Sequence, residues 1–220
     1  AEKTQVYHFA PGMPYIPPKD FRLVRAKWES PQLYINGLPA FFHLHLQRED
    51  GYYSYAQIFC RPVVNNKQLN IRQIGYVNTS DIGKSLEKMA DFHQYQEYFL
   101  TANSFSTPKE RKKKNLYTIQ NIVLDIDIHS AKRDRGIFIQ RLDVVLYLAF
   151  KDETFPLPVP NTVVYTGRGI QLWWAVCPFS AKELLYVYHD LVRYFASEIT
   201  KRINEDKELK KHVIVDAAAS

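Results

Sequence analysis

The chain has 220 residues, enough for one large domain or two small ones, and 46% hydrophobic with 14% aromatic content excludes a disordered chain. The formal net charge of +6 suits a polyanionic partner, because surface Lys and Arg release condensed counterions on meeting phosphates. An ordinary basic soluble protein carries the same surplus, so charge alone does not decide. Two cysteines, Cys60 and Cys177, lie far apart and outside any CxxC pattern, which excludes a cysteine zinc finger within this chain and gives no sign of a disulfide scaffold. No stretch approaches the roughly 20 apolar residues that span a bilayer, and the polar start Ala1-Glu2-Lys3-Thr4-Gln5 lacks the apolar core of a signal peptide. A soluble, cytoplasmic protein with no membrane partner is the expectation.

In chain order, residues 11–32 are studded with prolines (Pro11, Pro14, Pro17, Pro18, Pro31) and read as an irregular lead-in. Loose alternation over 39–46 and 52–59, around Glu49-Asp50-Gly51, predicts a β-hairpin, and 69–77 adds a strand. Ser80 or Asp81 caps a predicted helix to about His93, with Ile82, Leu86, Met89 and Phe92 at helical spacing; a short strand follows at 98–101. The segment 106–115 is a basic, exposed loop and the expected boundary between an N-terminal α/β module (1–114) and a second module (115–220). That second module begins with a β-branched strand over 119–128 and continues with an apolar helix over 137–150. Phe155-Pro156-Leu157-Pro158-Val159-Pro160 forbids a helix and delivers the chain to strands at 162–165 and 170–176, joined by the turn Thr166-Gly167-Arg168-Gly169. A long amphipathic helix over 180–203, with Ser180 as N-cap and Glu183 at capping-box spacing, precedes a last strand at 212–216. The order β-α-β-β-α-β predicts an α+β fold with helices on one face of an antiparallel sheet, the ferredoxin-like or RNA-recognition-like arrangement. Many functions use that order, so function has to come from the residues placed on it.

Three short motifs carry chemistry. In Leu124-Asp125-Ile126-Asp127-Ile128, strand alternation projects both aspartates to one side while the aliphatic residues bury on the other. Paired carboxylates repel unless a cation sits between them, and oxygen donors of this kind select hard ions such as Mg²⁺ or Mn²⁺. A solvated strand face is the plainer alternative, weakened by the scarcity of Asp in strands. In Val164-Tyr165-Thr166-Gly167-Arg168-Gly169-Ile170-Gln171, the glycine-flanked turn can aim backbone N–H groups at an anion, with Thr166 adding a hydroxyl and Arg168 a forked cation. An ordinary hairpin explains those glycines equally well. Val213-Ile214-Val215-Asp216 is an apolar strand ending in a carboxylate, which alone reads as a turn cap.

Taken together, Asp-x-Asp, the Thr166-Gly167-Arg168-Gly169 turn and the terminal Asp216 resemble the signature motifs of the archaeo-eukaryotic primase superfamily, closest to the primases of plasmids, phages and integrated elements. The resemblance covers about Asn103 to Ser220. It implies a DNA primase-polymerase in which Asp125, Asp127 and Asp216 are the catalytic, metal-holding carboxylates of a two-metal Mg²⁺ or Mn²⁺ site. It implies that Thr166, Gly167, Arg168, Gly169 and Gln171 grip the nucleoside triphosphate, with DNA template and primer as partners. The family's middle motif runs Ser-Gly-x-Gly-x-His; here Thr166 replaces serine and Gln171 replaces histidine, a donor that carries no charge. Relatives continue into a helical region or a helicase, so the chain is expected to be a catalytic domain shortened after Ser220.

Two alternatives stand beside this reading. An RNA-recognition-type sheet can bind single strands without catalysis, stacking bases on exposed aromatics. His43-Leu44-His45 places two imidazoles on one strand face as in a rolling-circle nuclease, although no Tyr-x-x-Lys follows to supply the nucleophile. His129 shares the alternation of Asp125 and Asp127. Trp173 and Trp174, being adjacent, point to opposite faces, one into the core and one outward as a candidate stacking surface. The run Lys109 to Lys114 is a candidate phosphate contact.

Overall fold

The computed structural model of the chain describes residues 5–8, 34–35, 38–39, 54–61, 63–64, 67–68, 70–79, 97–166 and 168–217. The expected proline-rich lead-in, the predicted strand at 39–46 beyond Pro39, the predicted helix at 80–93 and the His43/His45 pair lie outside those residues. The first strands in chain order are β1 (Gln5–His8), β2 (Tyr34–Ile35), β3 (Leu38–Pro39), β4 (Tyr55–Arg61), β5 (Val63–Val64), β6 (Lys67–Gln68) and β7 (Arg72–Asn78). They are followed by β8 (Glu97–Leu100), β9 (Ser104–Phe105), β10 (Leu116–Ile128), helix α1 (Arg135–Lys151), β11 (Thr162–Tyr165) and β12 (Gly169–Ser180). Helix α2 (Ala181–Glu205), helix α3 (Leu209–His212) and β13 (Val213–Asp216) complete the chain. The fold is α+β, and every described strand pairing is antiparallel. Among the described residues no helix is long and apolar enough to cross a membrane.

The residues gather into two compact units, and the division is not a single cut near 114. One unit takes Ala1–Leu33, Ile122–Trp174 and Tyr186–Ala219; the other takes Tyr34–Asn121 and Ala175–Leu185, with Ser220. The long elements β10, β12 and α2 each contribute residues to both.

The first unit carries the β-α-β-β-α-β succession. β12 lies between β11 and β10, β13 pairs with the other edge of β10, and β1 extends the sheet beyond β11. One face of this sheet is covered by the helices. Leu124, Ile126 and Ile128 of β10 and Ile170, Leu172 and Trp174 of β12 are all buried on it. On α1 the buried residues Leu142, Leu146 and Ala149 recur at helical spacing, as do Tyr188, Val192, Phe195, Ile199 and Ile203 on α2. Trp174 meets Phe195 edge-on at 4.9 Å and Phe150 at 6.5 Å, and its indole N–H donates to the Pro158 carbonyl at 2.8 Å. The Tyr165 hydroxyl donates to Asp143 of α1 at 2.6 Å. Each fully buried aliphatic side chain in this layer contributes roughly 1.5–3 kcal/mol. The second long helix begins at Ala181, directly after the expected cap Ser180, and Leu184 leaves helical geometry (φ −121°, ψ 20°), so the run is kinked there.

The second unit is organised on β4, which pairs with β7 along one edge and with β8 and β9 along the other. β9 in turn pairs with the first residues of β10. Its interior includes polar groups that satisfy one another. Ser54 and Thr79 hydroxyls meet at 2.6 Å, and the Gln57 N–H donates to Thr101 Oγ1 at 2.9 Å. The fully buried Asn103 accepts, on one side-chain oxygen, the consecutive N–H groups of Gln120 and Asn121, each at 2.9 Å. Successive N–H groups of a regular strand point to opposite sides, so this sharing marks an irregularity in β10.

A glycine fixes how closely β12 approaches β10. A Cβ added at Gly169 would stand 1.8 Å from the Ile126 carbonyl oxygen and 3.1 Å from Asp127 Cα. Gly136, on the first turn of α1, would meet nothing within 4 Å. The Gly169→Ala variant is therefore expected to lose about 1–3 kcal/mol or more through overpacking, and Gly136→Ala to gain about 0.5–1 kcal/mol. Urea unfolding of both variants checks the pair; a harmless Gly169→Ala would contradict the close approach.

Candidate active site

Asp125 and Asp127 sit in the C-terminal half of β10, on the face opposite the helices, and both are half-buried. Spaced two residues apart, they stand roughly 6.6 Å from each other along the strand. The antiparallel register sets Asp216 of β13 directly opposite Asp125, and Ile214 opposite Asp127. Directly opposed residues project to the same side with Cβ atoms about 4.5–5.5 Å apart, so the last strand brings its carboxylate to the Asp-x-Asp face. On β13 the exposed residues are Ile214 and Asp216, while Val213 and Val215 are half-buried on the helix side. This alternation explains why an apolar tetrapeptide ends on an exposed acid.

The register of β13 is set by the turn before it. The Asp206 carboxylate caps α3 by accepting the N–H groups of Glu208 and Leu209 at 2.9 and 3.1 Å, and receives Arg141 of α1 at 2.5 Å. Leu209 is fully buried. At the far end of the ladder the His129 N–H donates to the His212 carbonyl at 2.7 Å, and the His212 ring lies 4.5 Å from Phe138. His129 itself stands just beyond β10 and is exposed, with its backbone closing the ladder.

The electrostatics of the trio are those of crowded like charges. Burial first, then the charges of Asp127 and Asp216, push the Asp125 carboxyl up to about 6, against a downward pull from the hydrogen-bonded Gln171. Asp125 Oδ1 is buried and accepts no hydrogen bond. Gln171 is half-buried on β12, and its Oε1 accepts the indole N–H of Trp173 at 3.3 Å. Its side chain is thus engaged between Trp173 and Asp125, on the carboxylate face rather than in the turn.

In that turn the Thr166 hydroxyl accepts the N–H groups of Gly169 at 3.1 Å and Arg168 at 3.3 Å, and the Thr166 N–H donates to the Gly169 carbonyl at 3.1 Å. Two of the amides expected to face an anion are therefore bonded within the turn. The Arg168 carbonyl accepts the Ile128 N–H at 3.0 Å, tying the turn to the end of β10, while its side chain is exposed. Gly167 lies outside the described residues. Trp173 and Trp174 are both buried, at 7% and 3% exposure, so the expectation of an outward stacking tryptophan fails. The sequence reading missed the link from Gln171 to Asp125; the i, i+2 spacing of Gln171 and Trp173 was the available signal.

No protein-family model matches the chain, and neither curated proteins nor solved structures return a match. Among the described residues, no three Asp, Glu, His or Cys side chains are gathered as a closed metal-binding group. In kind, the donors are those a hard divalent cation takes. They are carboxylate oxygens on one strand face, and Asp125 among them has a buried unbonded Oδ1 and a carboxyl raised by burial and then by its two acidic neighbours.

The raised Asp125 carboxyl gives a pH signature. Its folded value lies above its unfolded one, so its contribution to stability is fully present below about pH 4 and is lost as pH rises through about 6. Metal-free protein compared with Asp125→Asn across pH 4 to 7 checks this. The variant is expected to gain on the parent as pH rises, and parallel curves would contradict the crowding.

Proposed function

We propose that the chain catalyses template-directed nucleotidyl transfer, as a DNA primase-polymerase of the archaeo-eukaryotic primase type, on a ferredoxin-like, RNA-recognition-type sheet. The observation that carries the reading is the register that sets Asp216 opposite Asp125, beside Asp127. Those three carboxylates would hold Mg²⁺ or Mn²⁺. When bound, a pair of such ions lowers the pKa of an attacking 3′-hydroxyl and neutralises charge on the transferred phosphate and leaving pyrophosphate.

The protein's own groups orient and offset charge. Asp125 has to be ionised to act as a ligand, and the Gln171 amide favours that form. This gives Gln171 a task that needs no charge, which fits its place where the family carries histidine. Arg168, exposed at the turn, is the cation for the triphosphate, and Gly169 lets the turn lie against the backbone of the Asp-x-Asp segment. The alternative of a non-catalytic binding sheet would stack bases on exposed aromatics beside the carboxylate face, where Trp173 is buried; the exposed ring of β10, Tyr117, lies at the other end of that strand.

Incorporation of a labelled nucleotide on a primed template, with Mg²⁺ or Mn²⁺ and with EDTA as control, tests the proposal. Asp125→Asn, Asp127→Asn and Asp216→Asn should each lower the rate by about 100-fold or more. Arg168→Ala should raise the nucleotide KM with template affinity unchanged. Gln171→Ala should raise the metal concentration needed for half-maximal rate and leave the nucleotide KM nearly alone. Incorporation that survives EDTA or the Asp216 change would defeat the reading, and template binding without incorporation would favour the binding sheet.

A further inference from the structure

Within the second unit a cleft of about 660 Å³ opens where the basic segment before β10 faces the end of β12 and the first residues of α2. Lys113, Lys114 and Lys182 line it, together with Ser106, Ser180 and Tyr117. The segment is built rather than loose. Gln57 on β4 donates its side-chain N–H to the Thr107 carbonyl at 3.0 Å, and Gln73 on β7 donates to the Pro108 carbonyl. The Ser106 N–H donates to the Asn115 carbonyl at 2.8 Å, and the Asn115 amide reaches back to the Glu110 carbonyl at 3.3 Å.

The cations of this segment divide into two groups. Lys112 pairs with Glu110 at 3.2 Å, and Arg111 lies over the Phe59 ring at 5.7 Å. Glu110 feels Lys114 only at longer range. Lys113, Lys114 and Lys182 form no salt bridge among the described residues, yet two distant stretches of chain bring them to one cleft. Three converging cations repel one another until an anion with several charges joins them. Tyr117, 38% exposed at the same cleft, offers a ring face.

We propose that this cleft seats the backbone of single-stranded nucleic acid, with phosphates on Lys113, Lys114 and Lys182 and one base stacked on Tyr117. The Ser180 hydroxyl supplies a neutral donor to a phosphate oxygen, while that of Ser106 already donates to the Asn115 carbonyl at 3.2 Å. A single strand is favoured over a duplex because its bases are free to stack on an aromatic ring. The choice of nucleic acid over another polyanion rests on the proposed function; the anion site itself does not.

Binding of a fluorescent oligodeoxynucleotide in EDTA, at several salt concentrations, tests the cleft apart from the carboxylate site. The triple variant Lys113→Ala/Lys114→Ala/Lys182→Ala should bind about tenfold or more weakly, and its salt slope should fall by about 2. Tyr117→Ala should bind roughly fivefold more weakly and Tyr117→Phe like the parent. Lys207→Ala/Lys210→Ala, which removes two charges against three, on α3 and the turn before it, should change affinity little. Equal losses in the two lysine sets would reduce the effect to net charge and overturn the proposal, as would an unchanged triple variant. Inorganic tripolyphosphate competing at micromolar concentration would also overturn it, by assigning the cleft to a free triphosphate. Failure of the lysine variants with incorporation intact removes the cleft alone, whereas loss of metal-dependent incorporation leaves the cleft standing.

Discussion

Carboxylates set directly across an antiparallel ladder oppose the pairing that holds them there, and the pairing of β10 with β13 does this at Asp125 and Asp216. Burial first, and then this repulsion from Asp127 and Asp216 on the same face, lifts the Asp125 carboxyl to about 6. What offsets it lies on the other side of the same strands. Leu124 and Ile126 are fully buried against the helices, and the Asp206 cap and Leu209 fix where β13 begins. The helix face thus stabilises a register that the acidic face would reject. In the proposed function a bound cation would relieve this repulsion.

The neighbouring strand makes the arrangement more specific. Gly169 permits β12 to lie against the carbonyl of Ile126, and only two residues further on Gln171 reaches the Asp125 carboxylate. Gln171 is therefore linked to the carboxylate face, and in the proposed function the phosphate-side role expected from its motif position falls to Arg168. The Thr166 hydroxyl, by holding the N–H groups of Arg168 and Gly169, keeps the turn in shape before any ligand arrives. An incoming phosphate would have to compete with that hydroxyl for the two amides.

Much of the carboxylate face was legible in the residues. The two-residue period placed Asp125 with Asp127, and β-branched runs with proline and glycine punctuation located β10, β11, β12 and β13. The pairing of β13 with β10 was an expectation of the β-α-β-β-α-β order, but its register was not, since one residue of slip would turn Asp216 away. That register depends on the short helix α3, four residues long and below the reach of periodicity. β1 escaped notice because Gln5–His8 is short and lies in a polar lead. The irregularity at Gln120 and Asn121 depends on Asn103, a contact distant in sequence that no local pattern announces. One of Trp173 and Trp174 was read as an outward ring from strand alternation alone, and alternation gives the face of a residue without telling what covers it.

Electron paramagnetic resonance of Mn²⁺ titrated into the protein, with a non-hydrolysable nucleoside triphosphate present, tests the central claim most directly. The account predicts that the free-ion signal is suppressed until two equivalents are bound, and that Asp216→Asn loses at least one of them while remaining folded. A free-ion signal that grows from the first addition in the parent protein, or identical titrations of parent and variant, would contradict it.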